Sequence, residues 1–187
     1  MKRSGDSDEV LVARCNSADP KLAAAAFNSL YRRHRDYVLR VALRFTADPE
    51  LAADALQEAF THLLKQFPPP GPGLELSAKL TTYLYPIVKN ITLTMLRQAR
   101  RSPPSSVEPD ALQAPENAAA VRDDLDRLLA NLADERREIL TLRFVDEMAL
   151  DEIAQVLEIP LGTVKSRLHN AIKALREDPA AKKFFET

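Results

Sequence analysis

The 187-residue chain has no tryptophan, one cysteine and only four glycines, and each shortage excludes something. A lone cysteine, Cys15, allows no intrachain disulfide and fits a reducing compartment. One cysteine, with His34, His62 and His169 far apart in sequence, also cannot build a usual zinc site. Glycines at positions 5, 71, 73 and 162 make no phosphate-binding loop of the G-x-x-x-x-G-K type. No run of about 20 apolar residues is present to span a bilayer, and Met1-Lys2-Arg3-Ser4-Gly5-Asp6 leads into no signal-peptide core. A soluble, cytoplasmic protein is expected. No metal or organic cofactor is expected either, and no enzyme. The carboxylates of Asp123, Asp124 and Asp126 fit a solvated helix face better than an acid–base pair.

Net charge is also small, −1 with a pI near 6.3, so global charge does not announce a nucleic-acid binder. Its distribution is more informative. Residues 21–101 hold 12 Lys or Arg against 6 Asp or Glu, whereas residues 121–178 hold 9 against 13. Few strand-like alternations and the scarcity of glycine predict an all-α chain. Asp19-Pro20 and Asp48-Pro49 each pair an N-cap with a first-turn proline. From the first, Leu22, Phe27, Leu30, Tyr31, Val38, Val41, Ala42 and Phe45 run at helical spacing. From the second, Leu51, Ala52, Ala55, Leu56, Ala59, Phe60, Leu63, Leu64 and Phe67 do so, until Pro68 to Gly73 ends the helix. A third helix is expected from about Ser77 to Arg100. Pro86 interrupts it and predicts a kink or broken turn at Thr82 to Pro86, or a start later than Ser77. Residues 102–120 hold four prolines, three acids and no Lys or Arg, the composition of a flexible linker. Further helices are expected around Val121–Leu132 and Asp134–Phe144, with a frayed tail after Asp178-Pro179. Two small helical domains follow, at 20–101 and 121–178.

The most informative stretch runs from Ala149 to Leu168. Leu150, Ile153, Ala154 and Leu157 share one helical face; Val164, Leu168, Ala171, Ile172 and Leu175 share another just beyond a tight connection. This is the pattern of a helix-turn-helix, whose second helix enters the DNA major groove. From Gly162 to Arg176 there are four Lys or Arg and no acid. By the helical step, Gly162, Ser166, His169, Asn170 and Lys173 point away from the buried face, flanked by Thr163, Lys165 and Arg167. Gly162 admits a phosphate close to the backbone. Lys165 and Arg167 suit phosphates or guanine edges, and Ser166 and Asn170 have the reach for base edges.

Leu132 to Phe144, the helix-turn-helix and Gly162-Thr163-Val164-Lys165-Ser166-Arg167-Leu168 together resemble region four of the extracytoplasmic-function sigma factors, initiation subunits of bacterial RNA polymerase. Phe27 to His34, Asp48 to Phe60, and Thr82 to Asn90 resemble region two of the same family. The resemblance spans about residues 22–177. It implies that Asp54, Gln57, Glu58 and Phe60 hold the polymerase core. It implies that Tyr83, Tyr85, Lys89, Asn90 and Arg97 capture the melted promoter strand, and that Gly162 to Lys173 read the upstream duplex. Bacterial RNA polymerase core and promoter DNA are the implied partners, with an anti-sigma factor as a further one. The chain departs from the family pattern at four places: Tyr83 stands where tryptophan is usual, Pro86 where arginine is usual and Glu158 where glycine is usual, and the proline-rich loop Phe67 to Leu74 lacks the usual charged pattern. Glu158 is expected at a positive φ, at a cost of about 1 kcal/mol. The rival readings are a sigma-like protein that binds an anti-sigma factor without initiating transcription, and a helix-turn-helix regulator working without polymerase.

Overall fold

A computed structural model describes residues 6–68, 71–101 and 132–177. The expected linker at 102–120, the expected helix at 121–132 except its last residue, and the tail from 178 lie outside these residues. Every regular element among the described residues is helical. The chain divides into two units, residues 1–111 and 112–187.

The first unit is a bundle of four helices. They are α1 (Asp8–Cys15), α2 (Pro20–Leu43), α3 (Pro49–Leu64) and α4 (Leu80–Arg101). Both aspartate caps form as the sequence predicts. Asp19 accepts from the amides of Lys21 and Leu22, and Asp48 from those of Glu50 and Leu51, each satisfying amides that a helix start leaves open. The apolar stripes meet in a core that includes Leu30, Val38, Val41, Ala55, Leu63, Leu80, Leu84 and Val88, all fully buried. Small Ala52, Ala55 and Ala59 on α3 are buried in this bundle. An aromatic cluster extends the core: Phe60 meets Phe27 edge-on at 6.3 Å and Tyr31 at 4.8 Å, and Phe67 meets Phe27 at 6.3 Å.

Helix α1 precedes the expected domain start at residue 20, so that boundary is corrected toward the N-terminus. Leu11, Val12 and Cys15 are buried. Asp8 accepts from Arg33 at 2.6 Å and lies 2.8 Å from His34 Nε2, fastening α1 to α2. The proline-rich loop after α3 is also pinned. The Asn16 side chain brackets Leu74, donating to its carbonyl at 2.8 Å and accepting from its amide at 3.0 Å. Gly71 is required there, because a Cβ would lie 2.3 Å from the Gln66 backbone.

At Pro86 the expected kink or broken turn does not occur: the helix starts later than Ser77, but Pro86 and Thr82 still lie inside it, so the later start does not account for the proline. Helix α4 begins at Leu80 and continues unbroken through Pro86 to Arg101, so no turn is lost between Thr82 and Pro86.

The second unit comprises α5 (Asp134–Leu140), a π-helical turn (Thr141–Val145), α6 (Leu150–Leu157) and α7 (Leu161–Glu177). The sequence predicts one regular helix to Phe144; instead the last turn widens. The Asp146 amide reaches the Thr141 carbonyl at 3.0 Å, and Arg143 donates to the Met148 carbonyl at 2.9 Å. Phe144 is left 61% exposed. Leu140 and Ala171 join α5 to α7, with Leu132, Leu168, Ile172 and Leu175 packed around them. Between α6 and α7, Glu158 adopts φ 54° and ψ 39°, as expected for a position where glycine is usual. The Ile159 amide closes the end of α6 on the Ala154 carbonyl at 3.1 Å.

Candidate polymerase and nucleic-acid interfaces

Three helix faces carry the residues singled out in the sequence. On α3 the buried face is set by Ala52, Ala55, Ala59 and Leu63, and Asp54, Gln57 and Glu58 are exposed opposite it. Phe60 is not available beside them. It is 4% exposed and belongs to the aromatic cluster, so its place in the polymerase-binding set is corrected to core packing. Leu64 does the reverse: expected on the buried face, it is 52% exposed. By the helical step it lies in line with Gln57, two turns further on, adding an apolar end to a polar stripe. Exposure was the missing signal, since its apolar type alone assigns it to the core.

On α4 the step of about 100° puts Tyr83, Asn90 and Arg97 in one row, seven residues apart, with Arg101 following. Asn90, Arg97 and Arg101 are exposed, and Tyr83 is half-buried. Burial pushes the Tyr83 phenol upward from its ordinary pKa, so it stays a neutral hydroxyl at physiological pH. Tyr85 falls on the opposite side of the helix. It is 2% exposed and lies edge-on to Phe45 at 6.5 Å. Its expected role on the melted strand is therefore corrected: an aromatic ring shut into the bundle cannot stack on a base. Lys89 is partly buried, with its ammonium 5.8 Å from the centre of the Phe45 ring.

On α7, Val164 and Ala171 are buried, while Gly162, Lys165, Ser166, His169, Asn170 and Lys173 are exposed. Nothing lies within 4 Å of the point where a Cβ would stand on Gly162, so the fold itself does not demand glycine there. The Ser166 hydroxyl donates to the Thr163 carbonyl at 3.0 Å. Thr163 is half-buried at the helix start. Arg167 differs from the other cations: its Nη2 is 3.0 Å from Glu135 Oε2 on α5. Arg176, one turn beyond the last predicted contact, is exposed as well. Helix α6 is closed at its start by the Glu152 carboxylate, which accepts from the Ala149 amide at 2.7 Å.

Comparison with known proteins divides the chain into two regions. Residues 30–102 match the family described as Sigma-70 region 2, and residues 122–175 match Sigma-70, region 4. The chain is 30% identical over 186 residues to the ECF RNA polymerase sigma-E factor of Escherichia coli strain K12, spanning 90% of this chain and 92% of that protein. It is 26% identical over 168 residues to the ECF RNA polymerase sigma factor SigW of Bacillus subtilis, spanning 81% and 88%. Among solved structures, the fold resembles CnrH in its complex with the cytosolic domain of CnrY, at a TM-score of 0.60 and 22% identity over 91% of this chain and 96% of that one. It also resembles the sigma factor RpoE of Bartonella quintana in complex with the anti-sigma factor NepR, at a TM-score of 0.59 and 19% identity over 81% and 94%. The two regions define a sigma-70 family protein. Within that family, the chain belongs to the extracytoplasmic-function RNA polymerase sigma factors, which direct core enzyme to promoters and initiate transcription. No helix among the described residues is long and apolar enough to cross a membrane.

Proposed function

We propose that the work of this sigma factor is divided among the three exposed faces. The α3 stripe of Asp54, Gln57 and Glu58, extended by Leu64, docks on the polymerase core. Carboxylates and an amide on a rigid helix suit a basic protein surface, and Leu64 supplies the apolar contact that such interfaces place among polar ones. The α4 row of Tyr83, Asn90 and Arg97 takes the melted promoter strand. One aromatic edge followed by polar and cationic groups is the combination that single-stranded DNA needs. Tyr83 there takes the stacking role for which the family uses tryptophan. The outer face of α7, with Gly162, Thr163, Lys165, Ser166, His169, Asn170 and Lys173, reads the upstream duplex in the major groove. The functional domains lie at about 20–101, extended N-terminally by α1, and 121–178. The chain catalyses no reaction of its own and acts in the cytoplasm. An anti-sigma factor is a proposed further partner, because two proteins of like fold are described in complexes of that kind or with a cytosolic partner domain.

The observation that carries this reading is the separation of the three faces by chemistry on helices whose opposite sides are fully buried. Permanganate probing of promoter thymines, with core enzyme and this chain, tests its least family-like part. Tyr83→Ala is expected to lose strand opening more than duplex binding, since base stacking contributes about 1 to 3 kcal/mol. Full opening by Tyr83→Ala would reduce Tyr83 to core packing.

A further inference from the structure

Helix α7 carries four cations, Lys165, Arg167, Lys173 and Arg176, and one is set apart. By the ~100° helical step Arg167 lies within about 60° of buried Val164 and Ala171, whereas Lys173 lies nearly opposite them. The Arg167 side chain is 35% exposed and pairs with Glu135 in the first turn of α5 at 3.0 Å. Lys173, by contrast, is paired among the described residues with Glu177 on its own helix, at 3.9 Å. An acid reaching across to a DNA-facing helix is unfavourable on charge alone, because it adds repulsion toward phosphate. Glu135 must then act on geometry if it contributes to DNA binding at all.

The guanidinium makes that possible. It carries five N–H donors in a rigid planar fork, and among the described residues its ion pair runs through Nη2 alone, a single point of the fork. An unrestrained arginine loses considerable rotamer freedom when it is fixed on a ligand; one already held loses less. We propose that Glu135 is a positioning residue for promoter binding: it holds Arg167 at the flank of α7 so that the rest of the fork takes a backbone phosphate of the upstream duplex. Arg167 then sets the register of the recognition helix, and base reading is left to the outer face of α7. This rests on the assignment of α7 as the DNA-contacting helix.

The sign of one substitution decides the matter. Glu135→Gln removes the charge with little change in shape, and neither Glu135 nor the partly buried Arg167 belongs to the apolar cluster that joins α5 to α7. Full-length variants are assembled with core polymerase and the competent fraction is titrated. Their affinity for a promoter duplex selected from a random-sequence pool by the native holoenzyme is measured over a salt series. Positioning predicts that Glu135→Gln weakens binding about threefold, the scale of an exposed ion pair. The loss should vanish in the Arg167→Gln background, whose own salt slope falls by about 1. Arg167→Lys, which keeps the charge without the fork, should lose about as much as Glu135→Gln. Tighter or unchanged binding by Glu135→Gln would overturn the proposal, as would an equal loss in both backgrounds or an unaltered salt slope in Arg167→Gln. Lys165→Ala separates the two levels. If it too leaves binding unchanged, α7 is not the contacting helix and the proposal falls with that assignment. If only the Glu135 and Arg167 variants are silent, the positioning role alone fails.

Discussion

Helices α3 and α7 are built on one plan and present opposite surfaces. Each buries a stripe that includes small residues, Ala52, Ala55 and Ala59 on α3 and Ala171 on α7. Each leaves the other side to water. The exposed side of α3 offers Asp54, Gln57 and Glu58 before any base appears at His62 and Lys65; that of α7 offers Lys165, His169, Asn170, Lys173 and Arg176 with no acid until Glu177. The buried stripes decide that both segments are helices and which way they face. They say nothing about partners. The outer residues do: carboxylates repel phosphate and attract a basic protein surface, while a basic face releases counterions from DNA and is sensitive to salt for that reason. A near-neutral chain thus carries two strongly different local surfaces.

That contrast can be broken in order of expected effect. The largest change comes from the core on which the α4 face is mounted. Tyr85→Ala should destabilise the first unit by about 3 to 5 kcal/mol, as large aromatic deletions in cores do, and Tyr83→Ala by distinctly less. Urea titration followed by helical circular dichroism measures both, and equal losses would place both rings in the core. Next, Asp54→Ala with Gln57→Ala should weaken core binding by about 2 kcal/mol, roughly 30-fold, without changing the salt dependence of DNA contacts. Titration against labelled core enzyme checks the first part and promoter binding by saturated holoenzyme the second. Lys165→Ala should do the converse, leaving core affinity alone and lowering the salt slope of promoter binding by about 1. The smallest effect is local: Glu158→Gly should stabilise the second unit by up to about 1 kcal/mol, because glycine adopts φ 54° without the penalty of a side chain. A lower thermal midpoint for this variant would mean that Glu158 makes a compensating contact.

What the sequence disclosed, and what it hid, follows the same division. Both aspartate caps and the helical stripes of α2, α3, α6 and α7 were legible because each depends on a few neighbouring residues, whereas the positive φ at Glu158 followed only from the family resemblance, which has glycine there. Tertiary placement was not legible. Phe60 already lay in the apolar stripe of its helix and took an outward role only from the family resemblance; the packing of Phe27 and Tyr31 against it, and of Phe45 against Tyr85, shows that both rings face inward. Leu64 is equally apolar and faces outward. Helix α1 escaped notice because its eight residues carry little periodicity and are held by distant ones, Arg33 and His34. The widened turn at Thr141–Val145 has no signature in its residues and depends on the bonds that Asp146 and Arg143 make. The Glu135–Arg167 pair joins residues far apart in the chain, so neither one suggests the other.

The central claim is that core binding and promoter reading reside on separate faces. Run-off transcription by core enzyme, with the chain titrated over a wide concentration range on a selected promoter, tests it most directly. The Asp54→Ala, Gln57→Ala variant should need about 30-fold more protein to reach half-maximal transcription and should then recover the full native level, since saturation restores the holoenzyme. Lys165→Ala should reach half-maximum at the native concentration but plateau lower at limiting promoter DNA, and lower still as salt rises. Identical titration curves for the two variants, or failure of the α3 variant to recover at saturation, would contradict the separation.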